Sequence, residues 1–126
     1  MSFHGSNVDL DQAHKLAEEL VELRHRQDEV LATYKPLVEK KGGIAELEMR
    51  LFEAKAIVVI PPETGAQEAE RMRKMGSTLE QARLRHAEEL KEYCKAALAV
   101  LESQVSGVQT RARMLKVQVD MDGSAT

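Results

Sequence analysis

The chain has 126 residues, 43% of them hydrophobic and 31% charged, and its formal net charge is −3. The length fits a single domain, and the aromatic share of 3% with no tryptophan disfavours an aromatic-rich globular core. The negative charge, with Lys and Arg interleaved among Glu, argues against nucleic acid as the main partner, and the single cysteine excludes an intramolecular disulfide.

The sequence has no apolar run of the length of a transmembrane segment and no stretch typical of a signal peptide. We therefore expect a cytoplasmic protein, or one that is secreted without a cleavable signal peptide. The abundance of Glu, Lys, Arg, Ala and Leu is typical of long helices. The predicted fold class is all-α.

In chain order, residues 1–8 are predicted to be a flexible N-terminus, and Asp9 with Gln12 fits a helix-capping box. Apolar residues then recur at alternating spacings of four and three, which is typical of a coiled coil. Gln27 is the one polar residue in this stripe and is predicted to fix its register. The pattern predicts a first helical arm over 9–60, whose apolar stripe contains Leu16, Leu20, Leu23, Val30, Leu31, Tyr34 and Val38.

The first arm is predicted to be interrupted near residues 36–43, because Pro36 removes a backbone donor and Gly42-Gly43 weakens a helix. Pro61-Pro62 then predicts a turn over 61–63, since the residue before a proline is disfavoured in a helix. The apolar run from Ile57 to Ile60 before this turn is predicted to be a packed helix end. The alternative is an exposed tip that binds a partner or chaperone.

Thr64 with Gln67 fits a second capping box, and a second arm is predicted over 64–120, followed by a flexible tail over 121–126. Gly76-Ser77 and Gly107 are points where this arm is predicted to restart or kink. The second apolar stripe is predicted to contain Leu79, His86, Leu90, Tyr93, Leu101, Val108 and Leu115.

The two arms are each about 50 residues long, so a long antiparallel helical hairpin with coiled-coil-like packing is predicted. The rival is a three-helix arrangement that folds back at Lys41 to Gly43. Two packed helices bury only one side of each, and flanking apolar residues such as Leu98 and Val105 widen the stripes. We therefore expect dimerisation into a four-helix bundle, with itself or with a second small helical protein.

Few residues in the sequence suggest chemistry. Glu22 and His25 form one Glu-x-x-His pair, but a di-iron bundle needs two such pairs, and this one is predicted to face solvent. His86 is predicted to be a core or interface histidine, with a pH-sensitive contact as the sharper alternative. No phosphate loop, nucleophile elbow or metal-ligand spacing is present, so no enzyme activity, cofactor or metal is expected.

The order of a helix, the segment Val58-Val59-Ile60-Pro61-Pro62-Glu63 and a long charged helix resembles the helical-hairpin proteins of actinobacterial type VII secretion. In sequence the resemblance covers residues 58–72. The chain lacks the Trp-X-Gly motif of that superfamily, and Tyr34 and Tyr93 are followed four residues later by Val38 and Ala97 instead of an acid.

The resemblance implies a non-enzymatic interaction module that acts as a substrate or escort of type VII secretion. The alternative is a cytoplasmic coiled-coil adaptor, a chaperone or a phage or assembly scaffold protein.

Overall fold

The computed structural model describes the backbone of residues 3–124 and the side chains of residues 10–122. The described backbone is helical with short connections, and no strand occurs within it, so the all-α prediction is confirmed. The four helices are α1 (Phe3–Val38), α2 (Ile44–Ala56), α3 (Ala66–Gly76) and α4 (Thr78–Ser124).

The outer ends of α1 and α4 extend beyond the boundaries predicted from apolar periodicity. α1 begins at Phe3 instead of Asp9, so Asp9 lies within the helix and is not its cap, and α4 continues to Ser124 instead of ending at 120. Apolar spacing marks only the residues that pack, whereas helical hydrogen bonds can continue past the last packed turn. Residues 1–2 and 125–126 lie outside the described residues.

The predicted interruption near 36–43 falls at residues 39–43, because α1 continues through Pro36 to Val38. Gly42 has a φ of 78°, a conformation that glycine adopts without strain. The Glu46 carboxylate accepts hydrogen bonds from the Gly42 backbone N–H and from Arg50 Nη2. These hydrogen bonds, with the Gly42 bond having the larger effect, hold the pKa of Glu46 below its ordinary value.

The connection between α2 and α3 spans residues 57–65 and includes Pro61-Pro62. α2 ends at Ala56 with Ile57 as its C-cap, so the prediction that Ile57 to Ile60 form a packed helix end is wrong. The N-cap of α3 is Gly65, so the predicted Thr64 cap is one residue out. α2 and α3 contact each other, and Val58 in the connection lies against Gly76 at the end of α3.

The predicted restart at Gly76-Ser77 is confirmed: α3 ends at Gly76 and α4 begins at Thr78. Ser77 is fully buried, and its Oγ donates to the Arg73 carbonyl oxygen at 2.7 Å. The Gln81 side chain donates to Ser77 Oγ at 2.9 Å and to the Lys74 carbonyl oxygen at 2.8 Å. Polar groups freed by the helix break are therefore satisfied by neighbouring side chains.

The chain divides into two compact units: unit 1 comprises residues 1–31 and 96–126, and unit 2 comprises residues 32–95. Unit 1 pairs a segment of α1 with a segment of α4. Unit 2 contains α2 and α3, and its buried side chains are small: Ala69, Ser77, Ala87 and Cys94. Small side chains allow helices to approach closely, but they contribute little apolar area each.

Candidate helix-docking groove

In unit 1 the α1 and α4 segments run antiparallel. Arg111 Nη2 lies 2.9 Å from Glu19 Oε1, and further along α1 Leu23 shares a surface depression with Gln104 and Gly107. Moving towards the C-terminus along α1 therefore means moving towards the N-terminus along α4. This pairing brings Leu16, Leu20, Leu23 and Val30 of the first predicted stripe together with Leu101 and Val108 of the second.

The core of unit 1 is narrow, as expected for a single layer of two helices. Its buried members are Leu23 from α1 and Leu101, Val105 and Val108 from α4. Three half-buried residues of α1 pack against them: Leu16, Leu20 and Val30. The α1 residues are spaced by four, three and seven, and the α4 residues by four and three, which is the spacing of a coiled-coil seam.

An apolar groove of about 660 Å³ lies between α1 and α4 beyond this core. Alanines at Ala13, Ala17 and Ala112 line it, and their short side chains leave the space open. Lys116 is the one charged residue among its walls, and Gln109 is polar. The other lining residues are Leu10, Leu16, Leu20, Val108, Leu115 and Val119. This groove is the candidate functional site.

Further apolar side chains of unit 1 face solvent. Met114, Val117 and Met121 share one side of α4 because they are spaced by three and four, and they border a depression of about 480 Å³. Val21 of α1 is 70% exposed. Among the described side chains of the whole chain, seven hydrophobic residues are buried and fifteen large ones are exposed. More of the large apolar side chains are therefore exposed than are fully buried.

Burial within the chain follows most of the predicted stripe of the first arm. Leu23 is buried, and Leu16, Leu20, Gln27, Val30, Leu31 and Tyr34 are half-buried. Val38 is 49% exposed. A role for these residues at a partner interface stays a prediction. Gln27 Oε1 accepts a hydrogen bond from Arg24 Nη1 at 3.1 Å within the same helix. Its proposed role in fixing register stays a prediction.

The predicted stripe of the second arm is partly wrong. Leu101 and Val108 are buried and Leu90 and Leu115 are half-buried, but Leu79, His86 and Tyr93 are exposed. His86 and Tyr93 each precede by one position the line that faces inward, in which Ala87, Cys94, Leu101 and Val108 recur every seven residues. Leu79 precedes the half-buried Glu80, which lies seven residues before Ala87. One position is about 100° of helix rotation, enough to turn a side chain from the core to solvent.

The missed members of this inward line are small. Cys94 is 2% exposed and Ala87 is 6% exposed, whereas Tyr93 is 70% exposed. The larger side chains of Leu79 and Tyr93 drew the predicted stripe one residue out of register. The signal that finds the correct line is its unbroken seven-residue spacing from Ala87 through Leu115. The prediction of His86 as a core histidine is wrong, and a role for it at a partner interface stays a prediction.

The Glu-x-x-His pair lies on an exposed face, as predicted. Glu22 Oε1 accepts a hydrogen bond from Arg26 Nη2 at 2.7 Å, and His25 Nε2 lies 3.0 Å from Glu29 Oε1. No group of three or more potential metal ligands occurs among the described residues. The exposed Glu68 carboxylate accepts two hydrogen bonds from Arg71, which lower the pKa of Glu68 and raise that of Arg71.

No protein-family model, curated protein or solved structure matches this chain. None of the helices in the described part of the chain carries an apolar stretch of the length needed to cross a bilayer. The groove and the exposed apolar side chains beside it are the features of the described residues that indicate a function.

Proposed function

We propose that this chain is a non-enzymatic helix-docking protein whose unit 1 groove is covered by helices of a partner. The carrying observation is the apolar groove of about 660 Å³ between Leu10 to Leu20 of α1 and Val108 to Val119 of α4. Domains are stabilised by at least two packed layers, and unit 1 supplies one. A partner layer buries the groove and the apolar side chains beside it.

In this proposal the two arms form one antiparallel hairpin, and partner helices complete a four-helix bundle around unit 1. Exposed Leu10 and Val21 of α1 support such a second layer, because they extend the apolar surface next to the groove. Contiguous apolar patches on a protein surface commonly mark sites of interaction. The partner is a second copy of the chain or another small helical protein.

Substitution of Ala112 by Glu tests the docking role directly. Ala112 is exposed and lines the groove, so the isolated chain can accept a carboxylate there, whereas a docked helix would bury that charge. Ala99→Glu is the matched control, since Ala99 is exposed on the same helix and does not line the groove. Circular dichroism establishes that both variants keep their helical content.

The measurement is sedimentation velocity between about 1 and 100 µM, with the chain alone and with each small helical protein encoded beside its gene. We expect assembly by the wild type and by Ala99→Glu, and at least about tenfold weaker assembly by Ala112→Glu. A wild-type chain that stays monomeric under all of these conditions contradicts the docking function. Equal assembly of the two variants excludes the groove as the docking surface.

We further propose that the assembly serves type VII secretion as a substrate or escort. The support is the resemblance over residues 58–72, in which Pro61-Pro62 lies in the connection that precedes a long helical region. A second observation is the exposure of Ile57 and Val59 in that connection, at 79% and 86%, which provides an apolar tip for a partner.

The secretion proposal is tested by following export of the chain in strains with and without the secretion ATPase. Loss of the chain from the medium on deletion of the ATPase supports it. A chain that is retained in both strains, and stays retained with its partner co-expressed, contradicts it. Retention of the chain in both strains would instead favour the alternative function of a cytoplasmic coiled-coil adaptor.

A further inference from the structure

We infer that the occupant of the unit 1 groove is a second copy of this chain, with α1 of each copy lying against α4 of the other. This inference rests on the proposed docking function and adds the identity and the orientation of the partner. In this dimer, the twofold axis that relates the two copies of unit 1 runs parallel to the helices.

The two walls of the groove belong to segments of opposite charge. Residues 10–22 of α1 contain four acids (Asp11, Glu18, Glu19 and Glu22) and one base, Lys15, for a net charge of −3. Residues 108–119 of α4 contain three bases (Arg111, Arg113 and Lys116) and no acid, for a net charge of +3. Within one chain, Glu19 and Arg111 form an ion pair across the helix interface. Lys15, Glu19 and Arg111 line a depression separate from the groove, and Glu22 is paired with Arg26 within α1. The exposed charges assigned to the partner contact are therefore Asp11 and Glu18 on α1 and Arg113 and Lys116 on α4.

The charge distribution selects one of two ways of stacking two such layers. A twofold axis along the helices places each acidic α1 segment over the basic α4 segment of the other copy, at the same level because the segments are antiparallel. A twofold axis across the helices, lying within the plane of contact between the layers, places α1 over α1 and α4 over α4, so that like charges face each other. Opposite charges favour association and like charges oppose it, so the first arrangement is preferred.

The margin of the groove on α1 carries suitable groups for this contact. Ala17 lines both the groove and a neighbouring depression that Glu18 and Val21 also border. On α4, Lys116 lines the groove, and Arg113 is exposed three residues earlier. In the proposed dimer, a docked α1 presents apolar Val21 and acidic Glu18 towards α4, where Lys116 lines the groove and Arg113 borders the neighbouring depression.

A second copy satisfies both margins at once, which a single foreign helix does not. A foreign helix with acidic flanks would match the α4 margin, and the acidic α1 margin would remain uncovered. In a twofold arrangement, each margin meets its opposite in the partner by the same contact made twice. The two margins of the groove therefore carry charges that complement each other between two copies of the chain. The floor of the groove between them is apolar.

Two charge-reversed variants test this arrangement. Asp11→Lys with Glu18→Lys makes the α1 margin basic, and Arg113→Glu with Lys116→Glu makes the α4 margin acidic. All four side chains are exposed, so the isolated helices tolerate the changes. Each variant alone then faces like charge in a dimer with itself, whereas a mixture of the two variants restores opposite charges at both contacts.

Matched controls carry the same charge changes in unit 2. Glu53→Lys with Glu63→Lys matches the first variant, and Arg83→Glu with Arg85→Glu matches the second, all at exposed positions. Sedimentation equilibrium at low salt measures the dimer dissociation constant of each protein and of the equimolar mixture. Low salt is required because exposed charges are screened within about 10 Å at 0.1 M.

We expect a wild-type dimer, dimers at least about tenfold weaker for each unit 1 variant, and wild-type affinity to within about threefold for the mixture. The controls are expected to dimerise like the wild type. Rescue by mixing requires that the acidic and basic margins meet between chains, since charges paired only within a chain gain nothing from a second variant.

Two results overturn the inference while leaving the docking function intact. One is a wild type that is monomeric alone but binds another helical protein through the groove, as judged by the Ala112→Glu variant. The other is a wild-type dimer that Ala112→Glu disrupts but that the charge reversals leave unchanged. A chain that fails to assemble with any protein, with no effect of Ala112→Glu, overturns the docking function itself.

Discussion

Arg111 of α4 donates a hydrogen bond from Nη2 to Oε1 of Glu19 in α1 at 2.9 Å. The bond joins the two helices, although the two residues lie 92 positions apart in the chain. The pair lies in unit 1 beside the apolar core, and its side chains are 55% and 47% exposed. It marks the register in which α1 and α4 meet. Its energetic contribution is limited by solvent, which screens both charges.

A double-mutant cycle over Glu19→Ala and Arg111→Ala is expected to give a coupling free energy of about 0.2 to 1 kcal/mol. The coupling should fall towards zero in 1 M salt, because exposed ion pairs are screened. Urea unfolding of the four proteins measures it. A coupling well above this range at high salt would mean that the pair is shielded from solvent by a partner.

Substitution of Val105 by Ala is expected to lower the free energy of unfolding by about 2 kcal/mol, since it removes buried methyl groups and leaves a cavity. Val105 is 4% exposed. Val117→Ala is the matched control on the same helix, where the side chain is 56% exposed, and is expected to cost less than about 0.5 kcal/mol. Equal losses in chemical denaturation would refute the assignment of the unit 1 core.

Gly43 and Gly65 are both helix N-caps, but their surroundings differ. A Cβ added at Gly43 would collide with the backbone oxygens of Glu39 and Leu37, whereas one added at Gly65 meets nothing within 4 Å. Gly43→Ala is therefore expected to destabilise the protein by about 1 to 3 kcal/mol, and Gly65→Ala by less than about 1 kcal/mol. Thermal unfolding of the two variants measures both losses of stability. A larger loss for Gly65→Ala than for Gly43→Ala would contradict the prediction.

Glu46 is expected to make stability depend on pH in the acid range. Its folded-state pKa is lowered, chiefly by the hydrogen bond from Gly42 and then by Arg50. A lowered folded-state pKa means that ionised Glu46 stabilises the fold at neutral pH. This contribution is lost as the pH falls below the ordinary glutamate pKa and through the lowered folded-state pKa.

The variant Glu46→Gln checks this sign. The wild type should unfold at a higher temperature than the variant at pH 7, and the difference should shrink as the pH falls below about 4. Arg50→Gln should reduce the difference only in part, because the Gly42 hydrogen bond is the larger cause. A difference that grows on acidification would contradict the lowered pKa.

Much of the helical organisation could be predicted from local features. Gly42-Gly43 marked the interruption between α1 and α2, and Gly76-Ser77 marked the start of α4, since glycine acts on the backbone where it stands. Pro36 lies inside α1 and does not end it. The helix ends were less predictable: Gly65 rather than Thr64 is the N-cap of α3. A cap depends on the path of the chain leading into the helix as well as on residue type.

The candidate site was only half predictable for a related reason. The first-arm stripe from Leu16 to Tyr34 was found because large apolar residues occupy its inward positions. In α4 the inward positions at Ala87 and Cys94 are small, while larger apolar residues such as Tyr93 face solvent. Size and hydropathy therefore pointed to the wrong side of that part of the helix.

The sequence by itself determined that this chain is helical, where its backbone breaks, and that its apolar surface exceeds what two helices bury. These properties follow from backbone preferences and seven-residue spacing, which act locally. Only the tertiary structure decided which face of α4 turns inward and where Ala13, Ala17 and Ala112 leave a groove. Those outcomes depend on how closely side chains of two distant segments can pack, and packing is a property of the pair of segments together.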